Sequence, residues 1–278
     1  MVEHGLLGIR FFTYEIFDTY RNVTNVVTSR HRGRSKPPYA SFNLAFHVGD
    51  DPNAVLDNRA TAAQLLGFEP EEFTIARQVH GTNVAVVGSR DRGRGAVVED
   101  DAWPDTDAMI TRAPDTPLAV LVADCVAVSL FDPSHNAVAI AHAGWAGTCK
   151  RIVQKTIQKM TEHFDTRPAE LVAGVSPSIG ACHYPIGQDV VDAFDTEFGP
   201  IHTGEFIDIQ NDGQATLDLW ACNRGQLIDA GVREDNIEVA GVCTVCQNDL
   251  FFSHRAEAGQ TGRFAGIIML NSSSPRAY

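Results

Sequence analysis

The sequence has few cysteines and lacks the features of secreted and membrane proteins. Six cysteines occur in 278 residues, and thiols this sparse are more often core residues, metal ligands or nucleophiles than disulfide partners. The opening segment, MVEHGLLGIRFF, contains an early acid and no unbroken apolar run of the required length, so it does not resemble a secretory signal. No stretch approaches the ~20 apolar residues of a membrane span. We therefore expect a cytoplasmic protein that does not associate with membranes.

Positive charge is also scarce. The chain has 22 lysine and arginine residues against 35 aspartate and glutamate residues, which gives a formal net charge of −13. Such a charge repels phosphate backbones, so we do not expect a nucleic-acid partner. A short basic run, Arg30–Lys36, is typical of a solvated surface loop. The expected partners are small molecules, and the expected assembly is a monomer or a homodimer.

The chain shows no fixed-period repeat and no low-complexity linker, so we expect one domain over residues 1–278. Apolar runs predict strands at Asn25–Ser29, Phe73–Val79, Val84–Val87, Leu118–Phe131, Ala137–Ala141, Leu171–Val175 and Ile237–Val242. Amphipathic patterns predict helices at Asn53–Leu66, Thr148–Phe164, Gln188–Phe198 and Leu217–Ala230. Because strands alternate with helices and hairpin signals are also present, we expect an α/β single-domain sandwich with a mixed β-sheet flanked by helices.

Two histidines and one cysteine lie in or at the ends of these predicted strands. His80 follows TIARQV, Cys125 lies within LAVLVADCVAV, and His142 follows AVAIA. The segment DPSHN predicts a hairpin turn between the last two runs. If Phe131 lies opposite Ala137, Cys125 faces residue 143, or His142 after a shift of one residue. Directly opposed residues have Cβ atoms about 5 Å apart, which suits two ligands of one metal ion.

A thiolate and two imidazoles form a ligand set that suits zinc or copper. Three protein ligands leave a fourth position for water or substrate, which is typical of a catalytic site. Asp124, next to Cys125, is a candidate for proton handling or for orienting a ligand. The same residues also allow other interpretations. A cysteine in an apolar strand is commonly a core residue, and Cys125 with His142 as base is also typical of a cysteine hydrolase.

A glycine-bearing turn follows His142. The segment from Ala143 to Thr148, AGWAGT, connects a predicted strand to a predicted helix and matches neither the P-loop nor the dinucleotide fingerprint. Free N–H groups at such a helix start favour an anion, so phosphate near this turn is a reasonable expectation. Trp145 is a candidate for stacking on a base or for packing in the core.

Three further segments contain candidate residues. Ser41 and Asn43 lie in a polar turn before Arg59, and these residues are suited either to holding substrate oxygens or to ordinary turn and surface roles. Arg255 and Arg263 near the C-terminal end are able to neutralise a phosphate. Cys243–Cys246 is a single C-x-x-C pair, whereas a zinc ribbon needs a second pair and a thioredoxin-like role needs a βαβ context.

The order of the motifs carries a family resemblance. The sequence contains SFNL (41–44), HVGDDP (47–52), QVHG (78–81), DAMIT (107–111), ADC (123–125), HAGW (142–145), SPSIGACHY (176–184), CTVC (243–246) and GR (262–263). This ordered set resembles the purine nucleoside phosphorylase family, also known as laccase-domain polyphenol oxidases and peptidoglycan editing factors. The resemblance covers nearly the whole chain.

This resemblance implies an α/β enzyme in which His80, Cys125 and His142 bind zinc, with copper as the alternative. The implied reaction is the phosphorolysis of adenosine, inosine and methylthioadenosine to a base and a pentose 1-phosphate, which is glycosyl transfer. Adenosine deamination and oxidation of phenolic dyes are also attributed to the family. We accordingly expect His80, Asp124 and Cys125 to be catalytic. The expected substrate or phosphate contacts are Ser41, Asn43, Arg59, Gln78, Gly144, Trp145, Gly147, Thr148 and Arg255.

The chain departs from the family pattern at four places. Ala146 replaces the arginine that usually follows HAGW, and Val126–Ala127 replace Leu-Pro after ADC. Tyr184–Ile186, YPI, replaces Tyr-Glu-Val, and Arg255–Ala256 replace a pair of arginines. The metal ligands match the pattern. Fewer cations near the expected phosphate position weaken the expectation of phosphorolysis.

Other function classes remain open at this point. A multicopper oxidase needs many histidines, commonly in His-x-His pairs, and none of the ten histidines here forms such a pair. A trinuclear copper centre is therefore not expected, although polyphenol oxidation by copper in the three-residue site remains an alternative. A cysteine hydrolase acting on a cell-wall precursor and a non-enzymatic binding module are the remaining alternatives.

Overall fold

The computed structural model describes residues 1–272 except Leu7 and Asp212, and all structural statements below refer to these residues. The strands are β1 (Val2–Leu6), β2 (Ile9–Thr13), β3 (Val23–Thr28), β4 (Thr74–Ile75), β5 (Val84–Val87), β6 (Ala108–Thr111), β7 (Leu118–Val122), β8 (Val126–Asp132), β9 (Ala137–Ala143), β10 (Val172–Val175), β11 (Pro185–Ile186), β12 (Ile207–Ile209), β13 (Ala215–Leu217), β14 (Ile237–Val239) and β15 (Phe264–Leu270). The helices are α1 (Pro52–Leu66), α2 (Trp145–Cys149), α3 (Ile152–Phe164), α4 (Gln188–Phe198), α5 (Pro200–Thr203) and α6 (Leu219–Asp229).

The strands form two large sheets and one small sheet. The first large sheet has the order β1-β2-β3-β15-β7-β4 and the second has the order β14-β10-β8-β9-β6-β5. Most neighbours are antiparallel, but β4 runs parallel to β7, β5 to β6 and β10 to β14. The small sheet has the order β11-β13-β12. The predicted α/β class with mixed strands is confirmed, but the prediction of one mixed sheet was too simple.

Side-chain alternation along β15 shows how the layers pack. Phe264 and Ile268 point into an apolar cluster shared with the second sheet, whereas Ala265 and Ile267 belong to a cluster that contains α1. This period of two is that of a strand buried on both faces. Gly266, in the middle of β15, allows the first sheet to lie close to β8 of the second sheet. A Cβ at position 266 would lie only 2.8 Å from the Cβ of Ala127.

Helices cover the outer faces of both large sheets. Buried residues of α1 pack on the first sheet, and those of α3 and α6 pack on the second. Buried residues of α4 belong to the same apolar cluster as α3 and α6. Asp51 caps α1 by accepting a hydrogen bond from the Asn53 amide, Pro52 occupies the first turn, and Gly67 ends the helix at φ 81°. The resulting order of layers is helix, sheet, sheet, helix. Within the described part of the chain, no helix is long and apolar enough to cross a membrane.

Two predicted elements are interrupted in the structure. The predicted strand Leu118–Phe131 was wrong as one element, because it divides into β7 and β8, which lie in different sheets. The predicted helix Thr148–Phe164 begins three residues earlier and divides into α2 and α3 at Arg151, which has φ 62°. Both interruptions contain a non-glycine residue in the left-handed region, a local conformation that apolar periodicity does not reveal.

Candidate metal centre

Cys125 lies in the break between β7 and β8, immediately before β8 enters the second sheet. Asp124 adopts φ 81° at this break. Its carboxylate accepts hydrogen bonds of 2.6 Å from the Thr244 hydroxyl and of 2.6 Å from the Arg255 amide. Two segments distant in sequence therefore hold the strained turn, and Cys125 follows Asp124 directly before β8 begins at Val126.

The hairpin of β8 and β9 brings Cys125 near His142, but not in the predicted register. The sequence analysis placed Phe131 opposite Ala137, whereas Phe131 pairs with Val138. His142 consequently lies opposite Ala127 rather than Cys125. Positions 125 and 127 share a face in an extended chain, so Cys125 and His142 are diagonal neighbours. The predicted register was wrong by one residue, although the two side chains still meet.

His80 is held in a tight turn by the buried carboxylate of Asp107. His80 has φ 57°, and the amides of Val79, His80 and Gly81 all donate to Asp107, the last two at 2.9 and 2.7 Å. Asp107 also lies 2.8 Å from Nδ1 of His142. One carboxylate therefore orients both histidines and leaves Nε2 of His142 free to bind a metal.

The three side chains form a compact ligand set. Sγ of Cys125 lies 3.7 Å from Nε2 of His80, and the ligand atoms of His80, Cys125 and His142 all lie within 4.8 Å of one another. Zinc–sulfur bonds of about 2.3 Å and zinc–nitrogen bonds of about 2.0 Å place tetrahedral S and N ligands about 3.5 Å apart. A Cβ at Gly144 would lie 2.7 Å from His80 Cδ2 and 2.9 Å from Cys125 Sγ. The donor types, spacing and glycine cradle fit a metal ion.

The charges of Cys125 and His142 act on each other's pKa values. Burial raises the pKa of Cys125, but the charge and hydrogen bond of His142 outweigh burial and lower that pKa to about 6. Burial lowers the pKa of His142, but Cys125 and Asp107 outweigh it and raise that pKa to about 9. Without a metal, the pair is therefore a thiolate and an imidazolium near neutral pH. The thiolate is the form that binds a metal ion.

A cavity of about 690 Å³ opens over the three ligands. Its wall includes the side chains of four arginines, Arg59, Arg77, Arg255 and Arg263, and the aromatic rings of Phe46, Trp145 and Tyr184. This volume lies within the ~300–1,000 Å³ of small-molecule sites. Cations and aromatic rings around a metal-binding cluster form a pocket suited to an anionic group and a flat ring.

The structure brings some predicted contact residues to the cavity. Gln78, Arg59, Trp145, Asp124 and Arg255 line it. Gln78 also fixes its wall, because its amide donates to the Leu121 carbonyl at 2.9 Å and accepts from the Leu121 amide at 2.8 Å. Arg59 is 2% exposed, and its guanidinium donates to the carbonyls of Leu44, Gly95 and Ala96.

Other predicted contact residues lie behind the cavity wall. The Ser41 hydroxyl donates to the Arg30 carbonyl, and the Asn43 side chain donates to Asp50. Thr148 is fully buried beside Asn223. Gly147 is also buried, and a Cβ there would lie 3.3 Å from the Gly81 carbonyl oxygen. These contacts show that the residues shape the turns that carry the site.

Sequence reasoning missed the part played by Asp107 and Tyr184. Asp107 opens the DAMIT motif immediately before β6, and an acid at the start of a buried strand was a signal that it has a specific partner. Tyr184 follows the Cys182–His183 pair and lines the cavity. Burial, reinforced by the negative charge of Cys125, raises the pKa of Tyr184, so its hydroxyl stays protonated.

Comparisons with known proteins agree with this fold and identify the family. The family model described as multi-copper polyphenol oxidoreductase laccase matches residues 24–271. The purine nucleoside phosphorylase YlmD of Geobacillus stearothermophilus is 37% identical over 242 residues, which cover 87% of this chain and 88% of that protein. The adenosine deaminase RL5 of an unknown prokaryotic organism is 35% identical over 243 residues, covering 86% and 91%.

A solved structure has the same architecture. The crystal structure of YlmD from Geobacillus stearothermophilus superposes with a TM-score of 0.88 at 35% sequence identity, covering 93% of this chain and 94% of that one. The resemblance expected from the ordered motifs is thereby confirmed. The chain belongs to the laccase-domain family, whose curated relatives include proteins named purine nucleoside phosphorylase.

Proposed function

We propose that this protein is a zinc-dependent purine nucleoside phosphorylase that acts on adenosine, inosine and methylthioadenosine. The observation that carries the proposal is the cavity, in which His80, Cys125 and His142 lie beside arginine and aromatic side chains. The name of the YlmD relative supports the same reaction. Cytoplasmic location is part of the proposal, because a reducing compartment keeps thiolate ligands reduced.

Zinc is the proposed ion because His80, Cys125 and His142 combine one thiolate with two imidazoles. When bound, the ion would act as a Lewis acid on a substrate atom in the fourth coordination position. Asp107 contributes by fixing the tautomer and direction of His142. Copper binds the same ligand types, so polyphenol oxidation stays a subsidiary hypothesis that rests on the family description.

Arg255 and Arg263 are the proposed phosphate ligands. Arg263 and Cys125 line the same cavity. Burial lowers the pKa of Arg263, and the charges of Cys125 and Asp124 oppose this effect. The Arg255 guanidinium stacks 5.3 Å from the Tyr184 ring centroid. Guanidinium groups bind phosphate oxygens in bidentate geometry. These arginines offset the missing cation at Ala146.

Trp145 and Tyr184 are the proposed contacts of the nucleoside. Trp145 lines the cavity and is 36% exposed, so its side chain is accessible to a purine. The protonated hydroxyl of Tyr184 is able to donate a hydrogen bond to a ribose oxygen or to phosphate. A flat apolar surface and a nearby donor are the usual elements of nucleoside recognition.

The proposed reaction joins a phosphate oxygen to C1′ of the ribose while the C1′–N9 bond breaks. The electron pair of that bond leaves with the purine, which takes up a proton, and the sugar becomes a pentose 1-phosphate. The arginines hold the phosphate in line with C1′, which contributes through proximity. Asp124 has both oxygens engaged by Thr244 and Arg255, so we assign it the positioning of Cys125 and Arg255 rather than proton transfer.

Adenosine deamination is the second candidate activity. It is supported by the name of the RL5 relative and by the three-ligand arrangement, which leaves one tetrahedral position for water or substrate. In this reaction water adds to C6 of adenine and ammonia leaves, so that inosine is the product. Phosphate is not consumed, which separates the two activities in one assay.

The proposal is tested by incubating zinc-loaded protein with adenosine, inosine and methylthioadenosine, with and without phosphate, and identifying all products. The expected result is base and pentose 1-phosphate only when phosphate is present. His80→Ala should lower kcat/KM by about 10³-fold, since loss of a metal removes several kcal/mol of stabilisation. The matched control is His163→Ala, at an exposed position near the end of α3.

Each alternative gives a different product pattern. Inosine from adenosine without phosphate indicates the deaminase, and turnover that persists in metal-free protein but not in Cys125→Ala indicates a cysteine hydrolase. The thiolate–imidazolium pair makes this last alternative chemically sound. Retained metal binding with no turnover of any nucleoside would contradict the proposal and favour a binding module.

A further inference from the structure

A second group of sulfur and nitrogen ligands lies outside the site described above. Cys182, His183, Cys243 and Cys246 place their ligand atoms within 4.8 Å of one another, and three of the four residues are exposed. We propose that this group, the Cys₃His cluster, is a second metal site that binds zinc with four protein ligands and has a structural role. The inference does not depend on the proposed phosphorylase activity.

The spacing of the ligand atoms is that of a tetrahedral metal site. Zinc–sulfur bonds of about 2.3 Å and zinc–nitrogen bonds of about 2.0 Å place S–S pairs about 3.8 Å apart and S–N pairs about 3.5 Å apart. Sγ of Cys182 lies 3.8 Å from Sγ of Cys246. Nδ1 of His183 lies 3.2, 3.9 and 3.4 Å from Sγ of Cys182, Cys243 and Cys246. All four distances lie near the tetrahedral values.

Backbone amides surround the Cys243 sulfur. The Gly180 amide donates to this sulfur at 3.3 Å, and the amides of Val245 and Cys246 donate to it from the following turn. Amide donors stabilise a thiolate, which is the form that binds a metal. A C-x-x-C turn whose own amides point at its first sulfur is thus prepared for a cation rather than for packing.

The fold joins two halves of the cluster that are remote in sequence. Ser178 and Cys243 form a parallel bridge, the Ser178 amide donates to the Val242 carbonyl, and the Thr244 amide donates to the Ser178 carbonyl at 3.0 Å. Cys182 and His183 follow on one segment, and Cys246 follows on the other. The missing partner of the C-x-x-C pair is therefore an adjacent Cys–His pair about sixty positions earlier in the chain.

The cluster also supports the catalytic pocket. Thr244, between the two cysteines of the C-x-x-C turn, donates to Asp124, which precedes the ligand Cys125. The His183 carbonyl accepts from the Arg255 guanidinium at 3.4 Å. Four protein ligands leave no position for substrate, so the second ion would fix these turns and take no direct part in chemistry.

The test is the metal content of the purified, reduced protein after zinc loading and desalting, measured by elemental analysis. The wild-type chain should hold about two zinc ions, and Cys125→Ala and Cys246→Ser should each hold about one. Cobalt substitution of Cys125→Ala should give the visible bands of a tetrahedral thiolate site, and the combined variant Cys125→Ala/Cys246→Ser should lose them. His183→Asn should weaken cobalt binding, whereas His202→Asn, at an exposed histidine outside both clusters, should not.

Three outcomes would overturn the inference. One is a metal content of about one ion per wild-type chain that Cys246→Ser does not change. Another is a Cys182–Cys246 disulfide, seen by intact-mass analysis as a loss of two hydrogens relative to the dithiol, together with no cobalt binding after the disulfide is reduced. The third is cobalt bands in Cys125→Ala that survive Cys246→Ser. If Cys246→Ser fails to fold, Cys182→Ser with the same cobalt titration decides between these outcomes.

Discussion

The two ligand clusters differ in how completely the protein surrounds a metal ion. The cluster of His80, Cys125 and His142, here called the catalytic cluster after its proposed role, has three candidate ligands, one of them the buried His142 on a central strand, and it opens into a cavity. The Cys₃His cluster has four ligands on two surface turns. The number of protein ligands and the presence of an open cavity beside them, rather than the type of ligand, distinguish a catalytic metal site from a structural one.

The two clusters also differ in what orients their ligands. In the catalytic cluster a buried carboxylate, Asp107, holds one histidine through its ring nitrogen and the other through its backbone. In the Cys₃His cluster, backbone amides hold Cys243. A carboxylate behind an imidazole raises the basicity of the ligand, whereas amides around a thiolate lower its basicity. The first arrangement strengthens the imidazole as a donor, and the second favours the thiolate form of Cys243.

The largest expected difference between the clusters is in turnover. Cys125→Ala should lower phosphorolysis kcat/KM by about 10³-fold or more, because it removes a ligand at the reacting centre. Cys246→Ser should lower it by less than about tenfold, because its effect passes through Thr244 and Asp124. Steady-state kinetics with inosine and phosphate measures both, and Cys149→Ala, a buried cysteine outside both clusters, is the control. Equal losses in both variants would contradict the division of roles.

The next difference is in the pH dependence of the thiols. In metal-stripped, reduced protein, alkylation of Cys125 by iodoacetamide should have its midpoint near pH 6, because His142 lowers the pKa of that thiol to about 6. Partial desolvation of the otherwise exposed Cys182 and hydrogen bonding to Cys243 and Cys246 raise the pKa of Cys182 to about 12, so Cys182 should react only at high pH. Peptide mass spectrometry of the labelled cysteines over a pH series measures both midpoints.

The altered pKa values of Cys125 and His142 also make the free energy of unfolding depend on pH. The lowered pKa of Cys125 contributes stability that is lost as pH falls through about 6. The raised pKa of His142 contributes stability that is lost as pH rises through about 9. The thiolate–imidazolium pair of metal-free protein is thus complete between these limits. A Cys125 midpoint near the ordinary thiol value of about 8.5 would rule out this pairing.

A smaller effect is expected at the carboxylate behind the histidines. Asp107→Asn should weaken zinc binding at the catalytic cluster by about 10- to 100-fold, since outer-shell partners of metal-binding histidines have effects of this size. The Asn side chain has one acceptor oxygen in place of two, so it would accept fewer hydrogen bonds from the backbone amides of Val79, His80 and Gly81. Competition with a coloured chelator measures the affinity.

The Cys₃His cluster and an unrelated acid provide the controls for this substitution. Cobalt binding by the Cys₃His cluster should be unchanged in Asp107→Asn, because the Asp107 carboxylate bonds to the turn that carries His80 and to His142. Asp101→Asn, at an exposed acid of the same chain region, should leave both sites unchanged. A loss of cobalt from both clusters in Asp107→Asn would show that the substitution unfolds the protein instead.

The smallest expected effect is at the alanine that departs from the family pattern. Ala146→Arg should lower the KM for phosphate by up to about fivefold, because one exposed ion pair contributes about 1 kcal/mol or less. The gain should shrink as salt increases. Ala146→Gln is the uncharged control of similar length. An unchanged KM for phosphate in Ala146→Arg would place the phosphate beyond the reach of position 146.

Several properties could be read from local sequence. The terminal residues of α4, Gln188 and Phe198, agree with the predicted helix, because an amphipathic period of 3.6 and short-range caps are local features. The strand β5 likewise agrees residue for residue with its prediction. The β8–β9 hairpin was predicted, but its register was not, since a turn sequence leaves a shift of one residue open. Strand β15, close to the C-terminal end, was not predicted at all.

The sequence by itself determined the types of ligand and their grouping in the catalytic cluster. His80, Cys125 and His142 were grouped from strand ends and ordered motifs, and the structure brings the three together. Only the tertiary structure decided that the run from Leu118 to Phe131 crosses from one sheet to the other at Asp124. It alone paired Cys182 and His183 with the C-x-x-C turn. The physical reason is that ligand chemistry belongs to single side chains, whereas a contact between remote segments depends on which strands pack together.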